Sequence, residues 1–361
     1  MTPRQPLRVG IVGCGNIAGP YARDIVAKPE LTLVAAMDLN PALATTLTET
    51  YGGRAVATLD DLLAEEIDLV VNLTFQAAHA SVTRRALQAG KHVHSEKPLA
   101  LDPAEAWSLV ELANASGLRL SCSPFTLMGE AQQTAWRAIR DDRVGTVRVV
   151  FAEVDWGRIE TWHPAPIPFY EVGPLVDVAV YPLSIVTAML GPARRVRAIG
   201  HVVQTNRVTK DGTPFRVTTP DLQIVVLELE GGVVVRLTAS FWVGQQSKGF
   251  AGLQFHGDSG SLWLDNFFRF DSPVEVAKFG EVGPYVPLTP LREASGEIDW
   301  ARAVQDLAGA ITDDRAHRAT GEQGAHVIDI LDAAKRSMGA DGAPIEVTTS
   351  FSRPAPMPWA E

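Results

Sequence analysis

The chain has 361 residues, 46% of them hydrophobic and 20% charged, with a formal net charge of −10. That length exceeds what one hydrophobic core usually serves, so two domains are expected in a water-soluble globular protein, and the acidic balance argues against nucleic-acid binding, which needs clustered Lys and Arg. Two cysteines, Cys14 and Cys122, offer neither a disulfide framework nor a metal-ligand cluster, and no run approaches the roughly 20 apolar residues that span a bilayer.

The chain enters its first apolar run after a short polar, proline-containing lead with no room for a signal peptide's apolar region, so a reducing cytoplasm is the expected compartment. Leu7 to Val12 reads as a strand that runs directly into Gly13-Cys14-Gly15-Asn16-Ile17-Ala18, a glycine turn opening a helix. Gly13 permits the tight turn, Gly15 lets backbone approach a pyrophosphate, and Ala18 allows close helix–strand packing. The pyrophosphate then meets the free N–H groups and the positive dipole end of the helix, near Asn16 and Ile17. A second strand, 31–37, ends in Asp38, whose carboxylate can accept from both ribose hydroxyls and would repel a 2′-phosphate. Leu39 and Asn40 follow without an arginine, so NAD is expected over NADP.

Further apolar runs near 54–57, 68–73, 92–95 and 119–123 alternate with helical patterns, one of them 76–89. This alternation predicts a doubly wound parallel Rossmann sheet over residues 1–123, with ligands at the carboxyl ends of its strands. From about 146 the runs lengthen and lose their interposed helices: 146–156, 193–203, 222–229, 233–243, 250–256 and 261–264. They predict a large, open, mostly antiparallel sheet in an α+β domain over 124–361. A helix over about 174–190, helices over about 297–313 and 322–338, a last strand at 344–348 and a loosely held Pro-rich tail from Pro354 complete the expectation. The fold class is therefore α/β in the first domain and α+β in the second.

Glu96-Lys97-Pro98 lies just beyond the fifth run, and Gly173-Pro174-Leu175-Val176-Asp177-Val178-Ala179-Val180-Tyr181 lies in the second domain. With the glycine turn, Asp38 and the segment Thr74 to His79, these stretches resemble the Gfo/Idh/MocA family of NAD(P)-dependent oxidoreductases over nearly the whole chain. The tyrosine is similar to that of the subset containing glucose-fructose oxidoreductase and dihydrodiol dehydrogenase, since many members carry histidine there. The resemblance implies that Glu96, Lys97, Thr74, Gln76 and His79 lie on the cofactor side, with Phe75 and Gln76 standing where the family often has Pro and Asn. It implies that Lys97 contacts the reacting hydroxyl and the nicotinamide ribose, that a cis bond precedes Pro98, that Asp177 orients substrate hydroxyls and that Tyr181 is the general acid/base. It also implies a homodimer or homotetramer joined through the second domain's sheet.

The chemistry stands beside that resemblance. Hydride can leave an alcohol carbon only as the hydroxyl proton is removed, so a base is needed within hydrogen-bond reach. A free tyrosine is a poor base at neutral pH, and an ammonium such as that of Lys97 would favour its phenolate. On one helix, Asp177 and Tyr181, four residues apart, would project from one face. The loop 156–170 mixes Trp156, Trp162, His163 and Tyr170, which suits a sugar, and His163 is the expected substrate ligand. Arg315, His317 and Arg318 read as a basic helix end without an assigned role. Together these residues predict NAD-dependent hydride transfer on a sugar, polyol or cyclic alcohol. A non-catalytic NAD(H)-binding regulatory or redox-sensing protein is the alternative, since fold does not settle function.

Overall fold

The computed structural model describes residues 5–280 and 283–361; the polar lead at 1–4 lies outside them. Up to Phe125 the alternating runs become β1 (Leu7–Val12), α1 (Ala18–Val26), β2 (Leu31–Met37), α2 (Pro41–Tyr51), β3 (Arg54–Val56), α3 (Leu59–Ala64), β4 (Leu69–Asn72), α4 (His79–Gln88), β5 (His92–Ser95), α5 (Pro103–Ala115) and β6 (Leu120–Cys122). The strands form a six-stranded sheet in the order β3-β2-β1-β4-β5-β6, each neighbouring pair parallel. β4 is buried along its whole length, as an inner strand covered on both faces must be. Asn40, Thr58 and Asp102 cap α2, α3 and α5 by accepting from first-turn amides, so three helix starts follow from local polar chemistry.

The rest of the chain forms α6 (Glu130–Arg140), β7 (Val147–Asp155), α7 (Ile167–Asp177), α8 (Val180–Leu190), β8 (Ala193–His201), β9 (Asn206–Val208), β10 (Pro214–Arg216), β11 (Leu222–Leu229), β12 (Val234–Ser240), β13 (Leu253–Gly257), β14 (Gly260–Leu264), β15 (Val274–Lys278), β16 (Val286–Pro287), α9 (Arg302–Asp313), α10 (Gly321–Gly339) and β17 (Ile345–Glu346). Nine strands make a sheet in the order β16-β15-β14-β13-β7-β12-β11-β8-β17, antiparallel except between β12 and β7. In β11 every second residue is buried, the signature of a sheet with one face on a core. Among the described residues, β9 and β10 pair only with each other.

The chain divides into two compact units: residues up to Phe125 with Asp299–Ile328, and Thr126–Ile298 with Asp329–Glu361. The sequence pattern predicts a second domain over 124–361, whereas α9 and the first part of α10 group with the first unit. They do so because residues 319–324 complete the β6 edge. Thr320 bridges Ser121, the Cys122 amide donates to Ala319 O at 2.9 Å, and the bare Cα of Gly324 admits the Cys122 side chain.

Other expectations need correction. α6, the β9–β10 hairpin, β15 and β16 had no distinct sequence pattern. The tail from Pro354 is docked rather than loose within its unit: the Met357 amide donates to Gln133 Oε1 at 2.9 Å, and the Arg292 guanidinium lies 3.9 Å over the Trp359 ring. The 24 residues Ile167–Leu190 are long and apolar enough to cross a bilayer, but 78% of that window is buried, so they form a core element of the second unit. Nor is 174–190 one helix. Gly173 sits at φ 79°, ψ 167°, and Val178 at φ −122° interrupts the chain between α7 and α8. The Ala179 amide reaches back five residues to Pro174 O, and the Tyr181 amide only three, to Val178 O, so the helical repeat is broken between Asp177 and Tyr181.

Candidate active site

In the first unit, β1 is fixed between its neighbours by Gly13 N–H donating to Met37 O and Leu73 N–H donating to Val12 O, both at 2.8 Å. Gly13 turns there with φ +91°, and a Cβ on it would lie 2.7 Å from the Leu73 carbonyl. Gly15, by contrast, is exposed, and a Cβ on it would meet nothing within 4 Å. Asn16 is exposed, and no side chain caps α1 at Ile17, which leaves a helix start suited to a phosphate. Asp38 is held at the tip of β2: its Oδ2 accepts from the Cys14 amide and its Oδ1 from the Asn40 amide, each at 2.7 Å. The Cys14 thiol is pushed up to about 12 by burial and by the Asp38 charge, so it stays protonated and unreactive at neutral pH. The open approach at Gly15, the uncapped helix and the fixed carboxylate fit a pyrophosphate and a ribose diol, as NAD requires.

Two loops follow at the ends of β4 and β5. The Thr74 hydroxyl donates to Asn72 Oδ1 at 2.7 Å, Gln76 begins a 3-10 turn over 76–78 and is partly exposed, and Lys97 precedes a cis peptide bond to Pro98. His79, expected on the cofactor side, is instead 2% exposed, with Nδ1 2.7 Å from Pro98 O and Nε2 2.7 Å from Thr74 O. It ties the Thr74–Gln76 loop to the lysine loop and offers no free ring nitrogen to a ligand. Glu96 is likewise internal. Its Oε1 accepts from Tyr21 Oη at 2.7 Å and Ser123 Oγ at 3.0 Å, and its Oε2 from the Lys97 amide at 3.0 Å. His94 completes this cluster, 3.3 Å from both Tyr21 Oη and Ser123 Oγ, its pKa lowered to about 4 by burial. The imidazole is therefore neutral at pH 7. Tyr21, His94 and Ser123 carry no motif signal, because only the folded sheet brings them under the Lys97 amide.

In the second unit, Asp177 closes α7 and Tyr181 lies in the first turn of α8, on opposite sides of the break at 178–179. The Gly173 bend turns the chain before Pro174, and a Cβ there would press on Thr219 Cγ2 at 3.1 Å. Phe268, unnoticed in the sequence, stands edge-on to the Tyr181 ring at 4.5 Å and 4.9 Å from Trp156. Its loop is tied down by Gln132, wholly buried, which donates to Phe267 O at 2.9 Å and Arg269 O at 3.1 Å. Tyr181 is thus walled by Phe268 and, beyond it, Trp156. His163 is partly exposed in an aromatic group with Trp162 and Phe169, its Nδ1 at 3.1 Å from the Ala165 amide.

The basic trio belongs to the first unit's framework. Arg315 and Arg318 both pair with Asp306, at 2.9 and 2.6 Å, and His317 Nε2 lies 3.0 Å from Leu120 O, its pKa lowered mainly by burial.

A Rossmann sheet with a glycine turn, a β2-tip carboxylate and a lysine before a cis proline, joined to a unit built on a large open sheet, defines a nicotinamide-dinucleotide-binding oxidoreductase. Residues 7–123 match the family model for the oxidoreductase family with NAD-binding Rossmann fold, and residues 132–263 match the GFO/IDH/MocA C-terminal domain. The chain belongs to the Gfo/Idh/MocA oxidoreductase family. It is 30% identical over 73% of its length, and 74% of the relative's, to dTDP-3,4-didehydro-2,6-dideoxy-alpha-D-glucose 3-reductase of Streptomyces violaceoruber. It is 24% identical to D-glucoside 3-dehydrogenase of Escherichia coli K12, covering 95% of this chain and 98% of that one. Its fold is shared with an NAD-binding oxidoreductase from Klebsiella pneumoniae, at TM-score 0.84 and 20% identity, covering 96% of this chain and 100% of the other.

Proposed function

We propose that this oxidoreductase interconverts a secondary hydroxyl and a ketone on a pyranose ring, at carbon 3, with NAD as its cofactor. The observation that carries the reading is the conjunction of the Asp38-bearing dinucleotide turn with Lys97, Asp177 and Tyr181. The two relatives above, whose names place their chemistry at carbon 3 of a hexose, support it. NAD held at Gly13, Gly15, Asp38 and the Thr74–Gln76 loop supplies the hydride acceptor or donor. Tyr181 takes the hydroxyl proton in oxidation and returns it in reduction, so that charge never builds on the carbinol oxygen. Lys97 places a positive charge beside that oxygen and favours the phenolate form of Tyr181. Asp177 accepts hydrogen bonds from neighbouring hydroxyls and so selects the carbon presented. Phe268 restricts the Tyr181 ring and gives the apolar face of a sugar a surface to rest on.

The test is nicotinamide absorbance with purified protein, NAD or NADP in either redox state, and a panel of hexoses, glycosides, inositols and keto-sugars. The expected result is turnover on a pyranose with NAD preferred over NADP. Turnover on inositols alone would overturn the ring assignment, and preference for NADP would overturn the role of Asp38.

We also propose that a second copy covers the open face of the large sheet. The exposed Ile199 and Val234, 60% and 39% accessible, and the half-exposed Phe151 support this reading. Sedimentation as a dimer or tetramer is expected; a monomer at micromolar concentration would refute the arrangement.

A further inference from the structure

Glu96 stands directly before Lys97 and turns inward, 6% exposed, where a carboxylate is tolerated only with donors around it. Tyr21 Oη and Ser123 Oγ both donate to its Oε1, at 2.7 and 3.0 Å, which leaves Oε2 to the Lys97 amide at 3.0 Å. A hydroxyl carries a single proton, and both of these hydroxyls have given theirs to Glu96. The proton balance therefore assigns the tautomer of His94. Its Nε2, 3.3 Å from each of the two oxygens, is the protonated ring nitrogen, and its Nδ1 accepts from Ser121 Oγ at 3.0 Å. Each proton in the cluster then has an acceptor, with the Glu96 carboxylate in one orientation.

The backbone on either side of the Lys97 amide is tied to other elements. Glu96 N–H donates to Asn72 O of β4 at 2.9 Å, and Pro98 O lies 2.7 Å from His79 Nδ1. Between them, the Lys97 amide depends on the Glu96 side chain, which can rotate unless it is held. If Glu96 swung away, the amide would lose its acceptor and the peptide that sets the direction of the Lys97 side chain would tilt. Tyr21 opposes this from a rigid seat. Its ring is fully buried, 6.2 Å from that of Phe125 and 5.6 Å from that of Trp300, so its hydroxyl is delivered to one place. Tyr21 also lies in the first turn of α1, its amide donating to Ile17 O at 3.1 Å. One side chain thus joins the helix start suited to a pyrophosphate to the loop that carries the lysine.

We infer that Tyr21 is a positioning residue for Lys97: acting through Glu96, its hydroxyl fixes the Lys97 amide and with it the direction of the ammonium. The inference rests on the role given to Lys97 above. A tyrosine of purely structural use would stabilise the first unit and leave the work of the lysine unaltered, and that difference is measurable.

Tyr21→Phe removes the hydroxyl and keeps the ring. In this variant kcat is expected to fall by up to about 100-fold, the scale of a misplacement of about 1 Å at a reacting centre. The alkaline-active limb of kcat/KM is expected to move to higher pH, the direction expected when the ammonium itself is removed. Calorimetric titration should show NADH affinity reduced by up to about tenfold, with wild-type affinity for ADP, which carries the adenosine and pyrophosphate but not the nicotinamide half. In a Lys97→Met background, Tyr21→Phe should add almost nothing to the loss of kcat/KM, because the group through which it acts is gone. Ser123→Ala removes the other donor to Glu96 Oε1 and is expected to give the same pattern, so it carries the test if Tyr21→Phe does not fold. Equal losses of NADH and ADP, an unmoved pH limb, or a full further loss in the Lys97→Met background would assign Tyr21 to the packing of α1 alone and overturn the inference. Wild-type kcat with wild-type NADH affinity would overturn it too. A loss of NADH affinity without loss of ADP affinity, in a protein that turns over no compound, supports the positioning and refutes the oxidoreductase reading.

Discussion

Tyr181→Phe is expected to lower kcat about 10²- to 10⁴-fold, the usual contribution of a positioned acid/base. The substitution removes one oxygen from a side chain whose ring is held by Phe268 at 4.5 Å, so the packing of α8 is kept and the loss is chemical. NADH binding, followed by fluorescence, and the melting temperature should stay at wild-type values. Lys97→Met is expected to cost kcat on a similar scale, with NADH affinity weakened by up to about tenfold for a lost charged hydrogen bond. The sign of its pH effect is fixed by its role. If the ammonium favours the phenolate, removing it moves the alkaline-active limb of kcat/KM to higher pH. Groups that act as one unit are not additive, so the double variant should lose little more than the worse single one. Wild-type turnover in either variant would remove that residue from the mechanism.

Gly13→Ala and Gly15→Ala are expected to fail in opposite ways. At position 13 the added Cβ meets the Leu73 carbonyl at 2.7 Å with φ at +91°, on a strand end bonded on both sides. Strain and overpacking together should cost roughly 2–6 kcal/mol of stability. At position 15 the backbone is not in the left-handed region and a Cβ would touch nothing within 4 Å, so the melting temperature should barely change. NADH affinity should nonetheless fall by at least about tenfold, because the methyl group occupies the approach of the pyrophosphate. Thermal melts and NADH titration of both variants check this. A Gly15→Ala protein that bound NADH normally would mean that the dinucleotide does not pass over that turn.

How much of the site was readable depended on whether a residue's role is local. The Gly13–Ala18 turn, Asp38 and the capped starts of α2, α3 and α5 are decided within a few residues by allowed φ/ψ, hydrogen bonding to nearby amides and strand–turn–helix order. The same local logic does not carry the helix over 174–190. Spacing by four implies one helical face only if the helix is continuous, and Val178 interrupts it. His79 and Glu96 were near the site in sequence but turned inward, because their partners, Pro98 O and Thr74 O in one case and Tyr21 and Ser123 in the other, come from separate loops. The buried pairing of Arg207 with Glu160 and Asp221 has no sequence signal, since the three residues lie in separate segments that meet only in the folded second unit.

By itself the sequence determined the parallel first sheet, the dinucleotide turn with Asp38 at the tip of β2, and a second unit built on an open sheet, all of which follow from short-range sterics and the period of apolar residues. Only the tertiary structure decided that residues 299–328 return to the first unit, that Phe268 stands against Tyr181, and that Arg207 is buried between Glu160 and Asp221. Each of these depends on which distant segments meet in a packed interior, and neither backbone propensity nor residue spacing encodes that.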